Sequence, residues 1–344
     1  MRRLPALALL PALMLPALIL IAVPRPASAD APLCALSNEF ERQVLSVDAV
    51  IGAAVYDLET ETIWTGGHSG PYALHSVIKP PIAWAILSDA YDEGRELTKL
   101  QRDALFYMVA WSQNPDVTTL LSMIGGLAGL TEYYERWGVP ELIELTHRSR
   151  WGASRAEPVH LARLFAALAR SESVPHDARA DGFDLLREVV DNHRWGATIP
   201  ERMLPGWESL IKTGNFTIPE SEDDDPIAKI NPRDYEDAAL LIRDLQRAED
   251  EAEAEEVGDS PLRSQASRVR ALVRMNSAAI WLAPPWLGSQ PRYVVTIMQE
   301  SFIGWTRSRK LQNQIGQMLG QAIAQREAGE HSLPTSHCIK RALS

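Results

Sequence analysis

Cysteine is nearly absent from this 344-residue chain: there are two, Cys34 and Cys338, close to its ends. Such sparse thiols exclude a disulfide-dense scaffold and any CxxC redox or zinc motif. The eight histidines show no metal-ligand spacing, so neither a metal nor another cofactor is implied. Basic residues are outnumbered, 34 Lys and Arg against 45 Asp and Glu, and form no stripe, so nucleic acid is not an expected partner. Internal repeats are missing. Past the N-terminus, so is any apolar run long enough to cross a membrane.

What is present starts with a secretory signal. Arg2 and Arg3 precede an apolar run over residues 4–23, and Ala27-Ser28-Ala29 supplies a small-x-small cleavage site. Residues 1–29 are thus expected to be removed, leaving a secreted or periplasmic protein without a stable membrane span. The alternative is an uncleaved anchor, although Pro5, Pro11 and Pro16 interrupt the run. Leu33 is too bulky for the usual lipid-attachment signal before Cys34. In an oxidising compartment Cys34 and Cys338 can form one bridge tying the terminal segments, or remain two thiols near the chain ends.

The net charge of −11 is concentrated in one place. Residues 220–259 carry 16 acidic and 4 basic side chains, which leaves the rest of the chain near neutrality. This stretch includes an expected helix over 234–256 with a narrow Leu240, Leu241 and Leu245 stripe. It reads as a solvated insert, with a substrate-facing flap or a calcium site as functional alternatives.

Elsewhere the hydrophobic period alternates between 2 and 3.6 residues. Residues 50–56 and 62–65 read as a hairpin across a polar turn, with Gly66, Gly67 and Gly70 loosening its exit. Helical patterns begin at His75 and recur over 99–110, 116–124, 129–137, 158–169 and 180–191. Strand character returns at 207–216, 271–282 and 293–299, before a final helix over 306–327. Strands, helices, strands and a helix in that order predict an α/β lobe made from both chain ends, residues 30–70 and 205–344 with the insert at 219–262. A helical lobe, 71–204, is inserted between them.

Three short motifs fall into this frame. Ser76-Val77-Ile78-Lys79 opens the first helix, Ser112-Gln113-Asn114 lies between helices, and Lys212-Thr213-Gly214 lies on a strand. Three residues of helix put Lys79 on the face of Ser76, where a lysine of lowered pKa can take the hydroxyl proton. Lys212 is the second cation that lowers it. Ser112 can relay a proton to a leaving nitrogen, and Asn114 can hold a substrate amide or orient Lys79. Lys212 and Thr213 can bind a carboxylate, while Gly214 keeps the strand edge open. The N–H groups of Ser76 and Asn215 can form an oxyanion hole. His75 can act as a base for Ser76, but neighbouring residues on a helix face different ways, so it reads as structural. The tryptophans, Trp151 and Trp195 among them, also read as structural, although they can line a pocket.

In this order and context the motifs resemble the serine β-lactamase and penicillin-binding-protein superfamily, and in layout class A β-lactamases. The resemblance spans roughly residues 50–325 apart from the acidic insert. It implies a two-lobe fold, an antiparallel sheet flanked by helices with an all-α lobe, and a site between the lobes. It also implies terminal helices on one side of the sheet, which favours a Cys34–Cys338 bridge. The chain departs from the pattern in three ways. Gln113 stands where aspartate is usual, the stretch from Ser76 to Ser112 is short, and no glutamate precedes a Leu-Asn pair. In β-lactamases that glutamate activates the water that frees the acyl-enzyme. Glu141 and Glu144 lie in the right neighbourhood but read as surface positions on a short helix. The expectation is a serine hydrolase forming an acyl-enzyme with β-lactams or peptidoglycan-like peptides. The alternatives are a D,D-peptidase or transpeptidase-like penicillin-binding enzyme, and a silent binding protein that uses the same cleft.

Overall fold

The computed structural model describes residues 33–35, 38–45, 49–140, 143–146, 148–199, 202–219, 271–329 and 338–339. The signal segment, the acidic residues 220–262 with their expected helix, and Glu141 lie outside them.

In chain order the elements are β1 (Leu33–Ala35), α1 (Asn38–Leu45), β2 (Ala49–Asp57), β3 (Thr62–Gly67) and β4 (Tyr72–Ala73). Then follow α2 (Lys79–Asp92), α3 (Lys99–Ala110), α4 (Val117–Met123), α5 (Gly126–Arg136), β5 (Arg155–Ala156), α6 (Pro158–Arg170) and α7 (His176–Arg187). The chain closes with β6 (Glu208–Pro219), β7 (Ala271–Leu282), β8 (Pro291–Ser301), α8 (Trp305–Glu327) and β9 (Cys338–Ile339). Seven strands form one sheet in the order β6-β7-β8-β2-β3-β1-β9, antiparallel except for the β1–β3 pair. Strands β4 and β5 form a separate two-stranded pair beside it.

Strand side chains alternate between faces, so the sheet has two cores. From β2, Ile51, Ala53 and Val55 enter one and Ala54 and Tyr56 the other. The first core is capped by both terminal helices, through Phe40 and Val44 of α1 and Leu311, Ile315 and Leu319 of α8. The second joins the sheet to the helical elements, with Trp84 of α2 and Leu161 and Phe165 of α6 at its centre. At the far edge the backbone register sets Cys34 opposite Cys338. Direct antiparallel partners stand about 4.5–5.5 Å apart, within the span a disulfide bridges.

Local chemistry explains most boundaries. Thr98 and Gln101 form a reciprocal capping box that fixes the start of α3. The hairpin strand β3 continues through Gly66 and Gly67, which pair with Ala53 and Gly52 instead of loosening the exit. The helix expected over 180–191 starts earlier, after Pro175, and stops at Arg187. Glu144 is not on a helix: it is exposed and pairs its backbone with Arg155.

Asp57 ends β2 fully buried. Its Oδ1 accepts from the N–H groups of Glu59 and Thr60 at 2.9 and 3.2 Å, closing the hairpin turn. Arg292 of β8 and Arg326 of α8 bring their guanidinium groups to the same carboxylate. Asp57→Ala is expected to destabilise the protein by about 3 kcal/mol in chemical denaturation, the low end for breaking a buried pair because both arginines keep some contact with water. A loss below about 0.5 kcal/mol, usual for a surface substitution, would show that the carboxylate is not the clamp between sheet and α8.

Candidate active site

The first motif does not open an α-helix directly. His75–Ile78 is a 3-10 turn, and α2 begins at Lys79. Pro80 and Pro81 explain this: without N–H groups they cannot bond the carbonyls of Ser76 and Val77 in α-helical fashion. The Lys79 N–H bonds the Ser76 carbonyl instead. Residues three apart eclipse in a 3-10 turn, so Ser76 and Lys79 share an edge. Ser76 is half-buried, and its Oγ makes no hydrogen bond among the described residues.

Lys79 is fully buried, and its Nζ turns toward the second motif. It donates to Ser112 O at 2.5 Å, Asn114 Oδ1 at 2.7 Å and Gln113 O at 3.1 Å, and stands 3.5 Å from Ser112 Oγ. From the other side Lys212 Nζ, also fully buried, donates to Ser112 Oγ at 2.8 Å and to Thr213 O at 3.1 Å. One hydroxyl thus lies between two lysine Nζ atoms. Ser112 is held at φ 59°, a left-handed conformation that costs a non-glycine residue energy and is typical of sites where geometry is imposed. Burial, then the charge of Lys212, lower the Lys79 pKa to about 6. Burial lowers Lys212 to about 7. Three good acceptors favour the Lys79 ammonium while desolvation and its neighbour oppose it, so the group can both hold and release a proton near neutrality.

The third motif lies against the nucleophile turn. A Cβ on Gly214 would come within 2.7 Å of Ser76 N and 2.9 Å of Leu74 O and Val77 N, so only glycine lets β6 approach this closely. Opposite Gly214 on β7, buried Asn276 donates from Nδ2 to Ala73 O at 2.6 Å, tying β7 to the residue before Leu74. Thr213 Oγ1 donates to His193 O at 2.9 Å. Asn215 follows, exposed, in register with Met275.

All three motifs therefore meet at one place. Ser112 and the two lysines are bonded together, Asn114 holds Lys79, Gly214 lies on the Ser76 turn, and Thr213 and Asn215 flank it on β6. Lys79 makes no bond to Ser76 Oγ here. Three neighbours outside the motifs complete the site. His75, at φ 50°, stacks on Phe216 with centroids 5.4 Å apart and rings 14° from parallel. Burial, then Arg274, push its pKa down to about 3. His193 is pushed to about 4 by burial, Lys212 and Lys79, and its buried Nδ1 has no partner. Trp151 places its ring 5.3 Å from Lys79 Nζ. Adjacence to Ser76 flags His75 in the sequence and a pocket-lining role was open for Trp151, whereas no sequence signal marks His193. Among the described residues no group of three His, Cys, Asp or Glu could hold a metal, and no helix is long and apolar enough to cross a membrane.

The fold has solved counterparts. A class A β-lactamase from Bacteroides cellulosilyticus superposes over 83% of this chain and 96% of its own, with a TM-score of 0.57 and 12% identity. The chain has a β-lactamase-like fold. A β-lactamase from Desulfarculus baarsii covers 83% of this chain and 95% of its own at TM-score 0.56 and 14% identity. PBP-A covers 86% and 98% at TM-score 0.57 and 18% identity. No protein-family model and no curated protein matches the sequence. At these identities the likeness to β-lactamases is one of fold, and chemistry has to be argued from the site.

Proposed function

We propose that the protein is a secreted serine hydrolase of the class A β-lactamase type that forms an acyl-enzyme on Ser76 with β-lactams or peptide-like amides and releases the acyl group slowly. The observation that carries this reading is the Lys79–Ser112–Lys212 cluster beside Ser76, with one hydroxyl between two buried lysines. A further structure of the same fold, 14% identical over 83% of this chain, holds relebactam.

In this mechanism Ser76 Oγ attacks the amide carbonyl and its proton passes to the neutral Lys79 amine. Lys79 gives up its longest backbone contact, to Gln113 O, to reach it. The N–H groups of Ser76 and Asn215 receive the oxyanion. Ser112 Oγ then protonates the leaving nitrogen and recovers a proton from Lys79, while Lys212 and Thr213 hold the substrate carboxylate. Slow release follows from what faces Lys79. None of its hydrogen-bond partners is a carboxylate, and no carboxylate contributes to its shifted pKa among the described residues. That favours penicillin-binding behaviour over efficient turnover. A burst of one acyl group per protein on mixing with a penicillin, followed by much slower release, is the expected result. Rapid linear turnover without a burst counts against slow release, and neither burst nor turnover counts against the acyl-enzyme. Glu141→Ala is expected to leave the release rate unchanged, since Glu141 is not assigned to water activation.

The acylation rate is expected to be bell-shaped in pH. It rises through about 6 as Lys79 loses its proton and falls above about 7 as Lys212 loses the charge that holds the anion. Lys212→Met removes the cation that depresses Lys79, so the rising limb moves to higher pH. A limb that stays in place or moves down in that variant would show that Lys79 is not the base.

A further inference from the structure

Trp151 takes no part in the proton chain, yet it is the aromatic face set against Lys79 Nζ. It sits on a 3-10 turn, Arg148–Ala153, in the segment between α5 and β5. That segment is tied to the nucleophile turn at Leu74 and closed on itself by its own hydrogen bonds. Ser154 O accepts the Leu74 N–H at 2.7 Å, and Glu144 and Arg155 exchange backbone hydrogen bonds at 2.8 and 2.9 Å. Gly152 lies so close that an added Cβ would touch His75 Cα at 3.5 Å. Thr146 Oγ1 donates to Arg150 O at 2.7 Å, bracing the turn from within. The backbone that carries Trp151 is therefore held beside the nucleophile turn, with the indole ring 5.3 Å from Lys79 Nζ.

Hydrolysis of an acyl-enzyme needs a water held close to a base. Lys79 directs its hydrogen bonds to the 112–114 loop, and an indole face offers a water no lone-pair acceptor and no N–H donor, since the one N–H lies at the ring edge. We infer that Trp151 is a positioning residue that keeps hydrolytic water away from Lys79 and so sets the lifetime of the acyl-enzyme. The inference rests on the acyl-enzyme reading above and goes beyond it in assigning the slow step to one side chain. Among the described residues the charged group acting on Lys79 is Lys212 on β6, and both lysines act in turn on His193 after α7. Neither supplies a carboxylate in place of the indole. With the ring removed, a water fits beside Lys79. Its oxygen then bonds the acyl carbonyl carbon, its proton goes to the neutral Lys79 amine, and that proton returns to Ser76 Oγ as the ester C–O bond breaks. The acid leaves and the free enzyme is restored.

The test is the decay of a penicillin adduct, followed by intact mass in the wild type, Trp151→Ala and Trp151→Leu. The adduct on Trp151→Ala is expected to decay roughly tenfold faster or more, because water regains access. Leucine keeps the apolar bulk, so Trp151→Leu should stay within about twofold of the wild type. Desolvation is the largest cause of the low Lys79 pKa, so opening the site also moves the rising limb of acylation to higher pH in Trp151→Ala. Loss of packing alone would not shift that limb. Should Trp151→Ala fail to fold, Trp151→Gln, long and polar, is expected to shorten the lifetime in the same way. Equal lifetimes in the wild type and the Ala or Gln variant, or a Leu variant as short-lived as Ala, overturn the role of Trp151. Absence of any adduct in the wild type overturns the acyl-enzyme reading itself, so the two failures are distinguishable.

Discussion

Ser76→Ala is expected to remove covalent modification by a penicillin altogether, lowering the acylation rate by roughly 10⁴-fold or more. Ser112 cannot take over. Its hydroxyl is held between Lys79 and Lys212, and its strained backbone fixes it there. It also lacks the free N–H of a helix start, which Ser76 has. The variant should fold as the wild type does, because Ser76 Oγ makes no hydrogen bond that its removal would break. Intact mass gives the first readout and chemical denaturation the second. Adduct formation at an undiminished rate in a folded Ser76→Ala protein would remove Ser76 from the mechanism.

Gly214→Ala is the second large effect. The added methyl meets three backbone atoms, Ser76 N, Leu74 O and Val77 N, none of which belongs to a flexible side chain. Either β6 or the nucleophile turn has to move, and the two proposed oxyanion donors, Ser76 N and Asn215 N, sit on opposite sides of that gap. Displacing one such donor costs about 10²–10³ in rate. Overpacking also costs about 1–3 kcal/mol of stability, so the acylation rate is compared at a temperature where both proteins are folded. The pH at which acylation rises should not change, since the methyl does not touch Lys79. Acylation within about threefold of wild type would show that the width of this gap does not control transition-state binding; a lost oxyanion donor alone is worth far more.

The fold was legible where local chemistry and period agree. Residues 99–110 carry a capping box at Thr98 and Gln101, and α3 occupies that span. The β2–β3 hairpin follows from its runs of small and β-branched residues and from Asp57, whose side chain closes the turn. The 3-10 geometry of the Ser76 turn was encoded in Pro80 and Pro81, although the apolar period alone reads as one continuous helix. The three motifs were visible as residue types in order, but their meeting was not. Ser112 and Lys212 lie 100 residues apart, and only the packing of β6 on the Ser76 turn brings Lys212 to Ser112 Oγ. Trp151 and His193 lie in irregular segments with no period or cap to announce them. The tertiary ties of the segment after α5, Leu74 to Ser154 above all, place the Trp151 backbone beside the nucleophile turn.

The central claim is that Ser76 carries the acyl group and holds it. The most direct test is to incubate the purified protein with a penicillin, quench at successive times, digest, and locate the added mass by fragment sequencing. The account predicts one equivalent on the peptide containing Ser76, formed fastest between about pH 6 and 7 and still present long after free penicillin is removed. Modification at Ser112 or at a lysine, or an unmodified protein at every time and pH, would contradict it.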